Sequence, residues 1–254
     1  MLKVKSVLVS QPKPETEKSP YFDLSTNCKV KIDFRPFIHI EAVSSKDFRS
    51  QRITFAEFDS IVFTSRNAID YFFAVAEETR FNVPETMKYF CISDAISFYL
   101  QKYVLYRKRK VFTGKQTFEE LLPVIKKHKE GNFLVPCSDI ISQNIPASLE
   151  KENINFKTVI LYRTVCSDLS DLKDVNYDVL AFFSPSGIKS LFQNFPKFKQ
   201  NETRIAVFGS TTCKAAEEAG LRVDICAPQP EAPSMTKALE LYIKTANKNC
   251  VSKK

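Results

Sequence analysis

The feature that most constrains this chain is a regular alternation of short apolar runs with stretches whose apolar residues recur at helical spacing. Residues 6–10, 30–34, 37–42, 60–64, 89–92, 104–106, 133–136, 158–165, 179–183, 205–208 and 223–226 read as strands. Between them, Ala68, Ile69, Phe72, Phe73 and Ala76 recur every three or four positions. So do Phe118, Leu121, Leu122 and Ile125, and Met235, Ala238, Leu239 and Tyr242. That spacing gathers apolar side chains on one helical face. Alternating strands and helices predict parallel sheets covered by helices on both faces, the doubly wound α/β class.

The pattern also repeats. Phe63-Thr64-Ser65-Arg66-Asn67-Ala68-Ile69 aligns with Phe182-Phe183-Ser184-Pro185-Ser186-Gly187-Ile188 at an offset of 119. Each is a strand, a hydroxyl residue and a helix start. Cys91-Ile92-Ser93-Asp94-Ala95 follows the first copy at much the same interval as Val207-Phe208-Gly209-Ser210-Thr211-Thr212 follows the second. Thr117 and Ser234 then stand as helix caps in corresponding places. Two copies of one α/β half explain these intervals. The second copy ends with a helix around 234–246 and lacks a strand, which residues 6–10 can supply. The expected domains are therefore 1–35 plus 167–254, discontinuous, and 36–166, continuous. Both are expected to be flavodoxin-like. The crossings at 37–42 and 158–165 form a two-stranded β connector that permits hinge motion and leaves a cleft.

Composition narrows the chemistry. The chain has 254 residues, enough for two domains, and a net charge of +8. It holds two His, His39 and His128, far apart, so neither a zinc site nor a His-based triad is expected. His128 ends a predicted helix, where a cation suits the dipole. The seven Cys include no CxxC pair and read as small buried apolar groups in a reducing compartment. Five Gly leave no GxGxxG, Walker or GxSxG loop, so no metal, flavin or nucleotide is expected. No run is long and apolar enough to span a bilayer, and Met1-Leu2-Lys3-Val4-Lys5 leads straight into a strand without a signal-peptide core. We therefore expect a cytoplasmic monomer with no membrane partner. The positive charge favours anionic partners. Arg107-Lys108-Arg109-Lys110 is the densest basic patch and reads as the guard of a strand edge. No aromatic–basic nucleic-acid motif accompanies it, so no nucleic-acid partner is expected.

What recurs is a hydroxyl residue after a strand and before a helix: Ser65, Ser184, Ser210, Thr211 and Thr117. Capping alone accounts for each. The same geometry also binds anions, because helix N-termini beyond the carboxyl ends of parallel strands present free N–H groups. Tyr162, on the crossing strand, reads either as a core aromatic or as a proton donor facing the cleft. Ser65, Ser184, Ser186, Thr211 and Thr212 are expected to line that cleft, with the N–H groups of Gly187 and Ser210 nearby.

Taken together, these segments resemble the uroporphyrinogen-III synthase family. Phe182-Phe183-Ser184-Pro185-Ser186-Gly187 looks like its FFSPSG motif. Ala206 to Thr212 is similar to AIGxTT, Ala215 to Leu221 to the A…AxGL tail, and Ile61 to Ala68 to FTSxNAV. Tyr162 falls on the family's tyrosine. Two departures stand out. Ser93-Asp94-Ala95-Ile96-Ser97 has Ile96 where the family has Thr, and Val9-Ser10-Gln11 lacks a basic residue found in many relatives. The resemblance implies closure of hydroxymethylbilane to uroporphyrinogen III, a lyase step of heme and porphyrin biosynthesis that needs no cofactor. Ring D is inverted through a spiro intermediate. It further implies Tyr162 as catalytic acid and Thr64, Ser65, Ser93, Ser184, Ser186, Gly187, Gly209, Ser210, Thr211 and Thr212 as substrate contacts. A transient handover from hydroxymethylbilane synthase also follows, since the substrate closes spontaneously. The lost hydroxyl at Ile96 keeps open a second reading, a non-catalytic two-domain tetrapyrrole- or anion-binding relative.

Overall fold

A computed structural model describes residues 3–16, 18–140, 144–172 and 176–251, with backbone alone for 249–251. Met1, Leu2 and the Cys250 side chain lie outside the described residues. The chain opens with β1 (Ser6–Val9), α1 (Pro20–Cys28) and β2 (Lys31–Phe34). It continues through β3 (Ile38–Ala42), α2 (Ser45–Ser50), β4 (Ser60–Phe63), α3 (Arg66–Glu78), β5 (Lys88–Cys91) and α4 (Asp94–Leu100). Next come β6 (Val111–Thr113), α5 (Phe118–Lys126), β7 (Phe133–Ser138), α6 (Asn144–Lys151) and β8 (Phe156–Cys166). The last part holds β9 (Val179–Phe182), α7 (Pro185–Asn194), β10 (Arg204–Phe208), α8 (Ser210–Glu218), β11 (Val223–Ala227) and α9 (Met235–Val251).

Unit 1 comprises Met1–His39 with Val165–Lys254, and unit 2 Ile40–Thr164. The divisions fall inside β3 and β8, which are neighbouring strands. In unit 1 the sheet order is β11-β10-β9-β1-β2; the six-stranded sheet runs β3-β8-β7-β4-β5-β6. Every strand pair but β3–β8 is in parallel register. The bonds flanking β3 and β8, Ser167 N–H to Phe37 O at 2.9 Å and Val43 N–H to Leu161 O at 3.0 Å, run antiparallel. Read from β9 through β11 and then β1 to β2, unit 1 has the strand order of β4 through β8 in unit 2. The two units are thus circular permutations of one another, which is why the N-terminal strand completes a sheet begun near residue 179. In chain order unit 1 shows the flavodoxin arrangement.

Burial on both faces explains the continuous apolar strands. β4 and β9 are buried at every residue. Their side chains alternate between two cores, as the strand period of two requires. In unit 2, Ile61, Phe63, Tyr89 and Cys91 pack with α3 residues Ile69 and Phe72. Val62, Phe90, Phe133 and Val135 pack on the other face with Leu121, Ile125 and Leu149. Unit 1 divides in the same way, with Val7, Val9 and Ala181 towards α9 and Leu8, Leu180 and Phe182 towards α7.

Two expectations are corrected. Residues 104–106 are not a strand; the sheet edge is β6, seven positions later. Val104 closes a turn onto Leu100, while Leu105 and Tyr106 stand in solvent, so this short run is apolar without being buried. The basic run is the turn that leads into β6. His128 is not a dipole-matched cation either. Its ring packs on Phe112 at 4.5 Å and Phe90 at 5.5 Å. Burial, with Lys88 and Lys127 nearby, pushes its pKa below the usual histidine value and favours the neutral ring.

Burial has the opposite sign for phenols and thiols. It pushes Tyr21, Tyr89 and Cys91 up to about 12 and Cys137 to about 11. The folded chain holds these protons more tightly than the unfolded chain does. Their contribution is complete below the unfolded values, roughly 8.5 for Cys and 10 for Tyr. It is lost as pH rises through the folded ones. Urea midpoints should therefore stay level to about pH 8.5 and decline steadily above it. A midpoint unchanged at pH 11 would contradict this.

Candidate functional site

In unit 2 the switch point of the sheet lies between β4 and β7, where successive connections leave in opposite directions. β7 carries Pro136, which has no N–H to give a ladder, and the β4–β7 register ends at Ile61 and Leu134. Beyond the carboxyl end of β4, Thr64 is half-buried and Ser65 caps α3. The Ser65 backbone is extended (φ −152°, ψ 161°), and its Oγ accepts the Ala68 N–H at 3.0 Å. The Tyr162 hydroxyl lies 3.0 Å from the same Oγ, although the two residues are 97 positions apart.

Tyr162 is 7% exposed, and its ring stacks on Tyr71 of α3 with centroids 5.2 Å apart. It is therefore a core aromatic, as one reading of the sequence held, but its hydroxyl is fixed at a strand end beside a helix cap. Burial raises its pKa; the Ser65 hydrogen bond opposes this in part. The phenol stays protonated at neutral pH. Ser93 caps α4 without a side-chain cap bond, so its hydroxyl is not committed to the helix. Ile96, in the first turn, is 9% exposed and belongs to the core. The residue that departs from the family pattern thus replaces a hydroxyl with packing.

Unit 1 repeats this geometry. Ser184 (φ −155°, ψ 154°) caps α7, and its Oγ accepts the Gly187 N–H at 3.3 Å. That N–H, expected to serve a ligand, is committed to the cap. Ser186 is half-buried in the first turn. α8 differs. Its cap is Gly209 rather than Ser210 or Thr211, and no side chain takes up its first-turn N–H groups. Ser210 and Thr211 are exposed, whereas Thr212 is only 1% exposed. Thr212 sits at the third helical position, as Ile96 does in unit 2, and that position faces the sheet. Tyr71, which backs Tyr162, escaped the sequence reading; an aromatic on a helix gives no sign of its partner on a distant strand.

Cap and glycine chemistry yield two expectations. Ser65→Ala and Ser184→Ala each remove an equivalent cap and should cost about 1 kcal/mol in urea unfolding. Ser65→Ala alone also takes away the Tyr162 hydroxyl's partner. Gly187 and Gly209 should behave oppositely. A Cβ at Gly187 would meet Phe182, Ser184 and Ser10 at 3.5–3.8 Å, ordinary contact, so Gly187→Ala should stabilise α7 by about 0.5–1 kcal/mol. A Cβ at Gly209 meets nothing within 4 Å, but φ +88° with ψ 147° is a conformation essentially confined to glycine. Gly209→Ala should cost about 1–3 kcal/mol, measured the same way.

Among the described residues no three His, Cys, Asp or Glu side chains are grouped to hold a metal ion, and no helix is long and apolar enough to cross a membrane. Two permuted parallel units with hydroxyl- or glycine-capped helix N-termini beyond their strand ends define a two-domain, doubly wound α/β protein with features suited to anionic ligands. Comparison with known proteins narrows the class. The profile of the family described as uroporphyrinogen-III synthase HemD matches residues 29–237. A uroporphyrinogen-III synthase of Chlorobaculum parvum is 24% identical over 95% of this chain and all of its own. Its counterpart in Saccharomyces cerevisiae is 26% identical over 49% of this chain and 50% of its own. The crystal structure of uroporphyrinogen-III synthetase from Helicobacter pylori shares the fold, with TM-score 0.61 and 18% identity over 95% of this chain and all of that one. A mutant Thermus thermophilus uroporphyrinogen III synthase gives 0.55 and 15%, over 97% of this chain and all of that one. The chain belongs to the uroporphyrinogen-III synthase family.

Proposed function

We propose that this chain closes hydroxymethylbilane to uroporphyrinogen III in the cytoplasm, as a cyclising hydro-lyase of heme biosynthesis without a cofactor. The observation that carries the reading is the Tyr162 hydroxyl, 3.0 Å from Ser65 Oγ at the end of β4 and kept protonated by burial. Tyr162 donates a proton as the terminal C–O bond breaks, so the hydroxyl leaves as water. The azafulvene cation left behind is attacked by the substituted carbon of ring D, giving the spiro intermediate. The older bond from that carbon to the ring C methylene then breaks, leaving a new azafulvene cation on ring C. Ring D turns over, and attack by its other α carbon closes the ring and releases a proton that balances the one donated. The unaided substrate closes without inversion, so most of the work is holding a near-attack geometry.

Carboxylates of the substrate are the natural ligands for the uncapped first turn of α8, with Gly209 admitting close approach and the Ser210 and Thr211 hydroxyls exposed. Ser93, Thr64, Ser65, Ser184 and Ser186 add hydroxyl contacts. Gly187 and Thr212 shape the turns, since the N–H of one is used by its cap and the side chain of the other is buried. A transient handover from hydroxymethylbilane synthase belongs to the same proposal, because free substrate is lost to spontaneous closure.

The test is to supply freshly generated hydroxymethylbilane and separate the oxidised product isomers by chromatography. Isomer III in excess is expected. Isomer I alone, formed at the uncatalysed rate, would overturn the proposal and favour the binding-only relative that Ile96 first suggested.

A further inference from the structure

Of the seven large apolar side chains exposed among the described residues, four fall within nine positions of unit 2. They are Phe98 (70% exposed), Tyr103 (39%), Leu105 (78%) and Tyr106 (43%). No acidic residue lies between Asp94 and Glu119, whereas Lys102, Arg107, Lys108, Arg109, Lys110 and Lys115 all do. Arg107 pairs with Glu85 at 3.4 Å, and Lys102 stands 4.0 Å from Asp70. Lys108 and Arg109 are exposed, and neither they nor Lys110 form an ion pair among the described residues.

β6 ends its sheet, so guarding an edge accounts for the cations. It does not account for the apolar side chains, which make an edge more adhesive. Nor does the fold need Leu105 and Phe98, which are largely in water. Tyr103 is tied in, its ring stacked on Phe73 at 4.5 Å and its hydroxyl donating to Asp70 at 2.7 Å. Aromatic and aliphatic side chains beside unpaired Lys and Arg, with carboxylates excluded from the same segment, match the chemistry of an anionic lipid interface. There the rings and Leu enter the headgroup layer while the cations meet lipid anions. We propose that residues 98–110 dock this protein peripherally on anionic lipid. No spanning helix is involved. The expectation of no membrane partner rested on the lack of a span, and a surface contact needs none. An acidic peptide is the less suitable occupant. The adjoining cavity of about 760 Å³, where Tyr103, Leu105 and Arg107 would receive it, also has Asp70, Glu77 and Glu85 in its wall.

Flotation of the full chain with vesicles tests the proposal. Vesicles of phosphatidylcholine with 30% phosphatidylserine should carry the protein upward at low salt, and pure phosphatidylcholine should not. Replacing Lys108, Arg109 and Lys110 together by Gln should weaken partitioning on the order of a hundredfold, at roughly fivefold for each cation removed. Phe98→Ser with Leu105→Ser should leave a contact that moderate salt abolishes. Thermal melting and vesicle-free activity should match the parent protein, since these side chains are on the surface and outside the proposed active site. Equal recovery with neutral vesicles, or no recovery with anionic ones, overturns the proposal. Binding to immobilised polyglutamate without any vesicle binding overturns it in favour of an acidic protein. The readout does not depend on catalysis, so it stands or falls separately from the proposed function.

Discussion

Tyr162→Phe is expected to lower the initial rate of uroporphyrinogen III formation by about 10²-fold, the lower end of general acid assistance. Isomer I should rise as isomer III falls, because substrate not processed in time closes on its own. The substitution removes only the oxygen that meets Ser65 at 3.0 Å; the ring keeps its stack on Tyr71. Ser65 Oγ keeps the Ala68 N–H, so the structural cost should be about 1 kcal/mol. KM should change little, since the proposed carboxylate contacts lie elsewhere. The lower end is expected because positioning survives and water can stand in as donor. Burial holds the phenol pKa above its ordinary value, so the parent rate should not fall through ionisation of this group below about pH 10. Initial rates and isomer ratios, with melting as the folding control, decide the matter. A well-folded variant with unchanged rate and ratio would return Tyr162 to packing alone.

The largest stability effect is expected from Phe72→Ala. Phe72 is fully buried on α3 and lies among Phe55 at 4.9 Å, Phe73 at 5.2 Å and Phe63 at 5.8 Å. Truncation loses both the transfer free energy of the ring and the contacts around the space it leaves, about 3–5 kcal/mol in all. At roughly 2–4 °C per kcal/mol for a chain of this size, the melting point should fall by about 10 °C. Phe72→Leu should cost less than half as much, because it restores most of the volume. A loss below 1 kcal/mol for the alanine variant would mean that this aromatic cluster does not hold unit 2 together.

Much of the candidate site was legible because capping is local. A serine whose side chain turns back three residues leaves its mark in the sequence whatever the rest of the chain does, so Ser65 and Ser184 could be picked out in advance. The α8 turn was read less well. Ser210 and Thr211 look like caps, yet Gly209 takes that place, and a positive φ leaves no trace beyond the glycine itself. Thr212 and Ile96 carry different chemistry at equivalent positions. Both are buried, because the third residue of each helix faces the sheet.

By itself the sequence determined the class of fold, the repeat, and the completion of unit 1 by the N-terminal strand. Each rests on periodicity, and periodicity reports which face of an element must leave water. It misplaced the edge at 104–106 because a short apolar run carries no record of whether a neighbour will cover it. Only the tertiary structure decided that Tyr162 meets Ser65, that Tyr71 backs it, and that His128 is a packed, neutral ring. Those facts depend on strands far apart in the chain becoming neighbours. Direction and distance between side chains arise from packing the whole sheet, and no window of adjacent residues contains them.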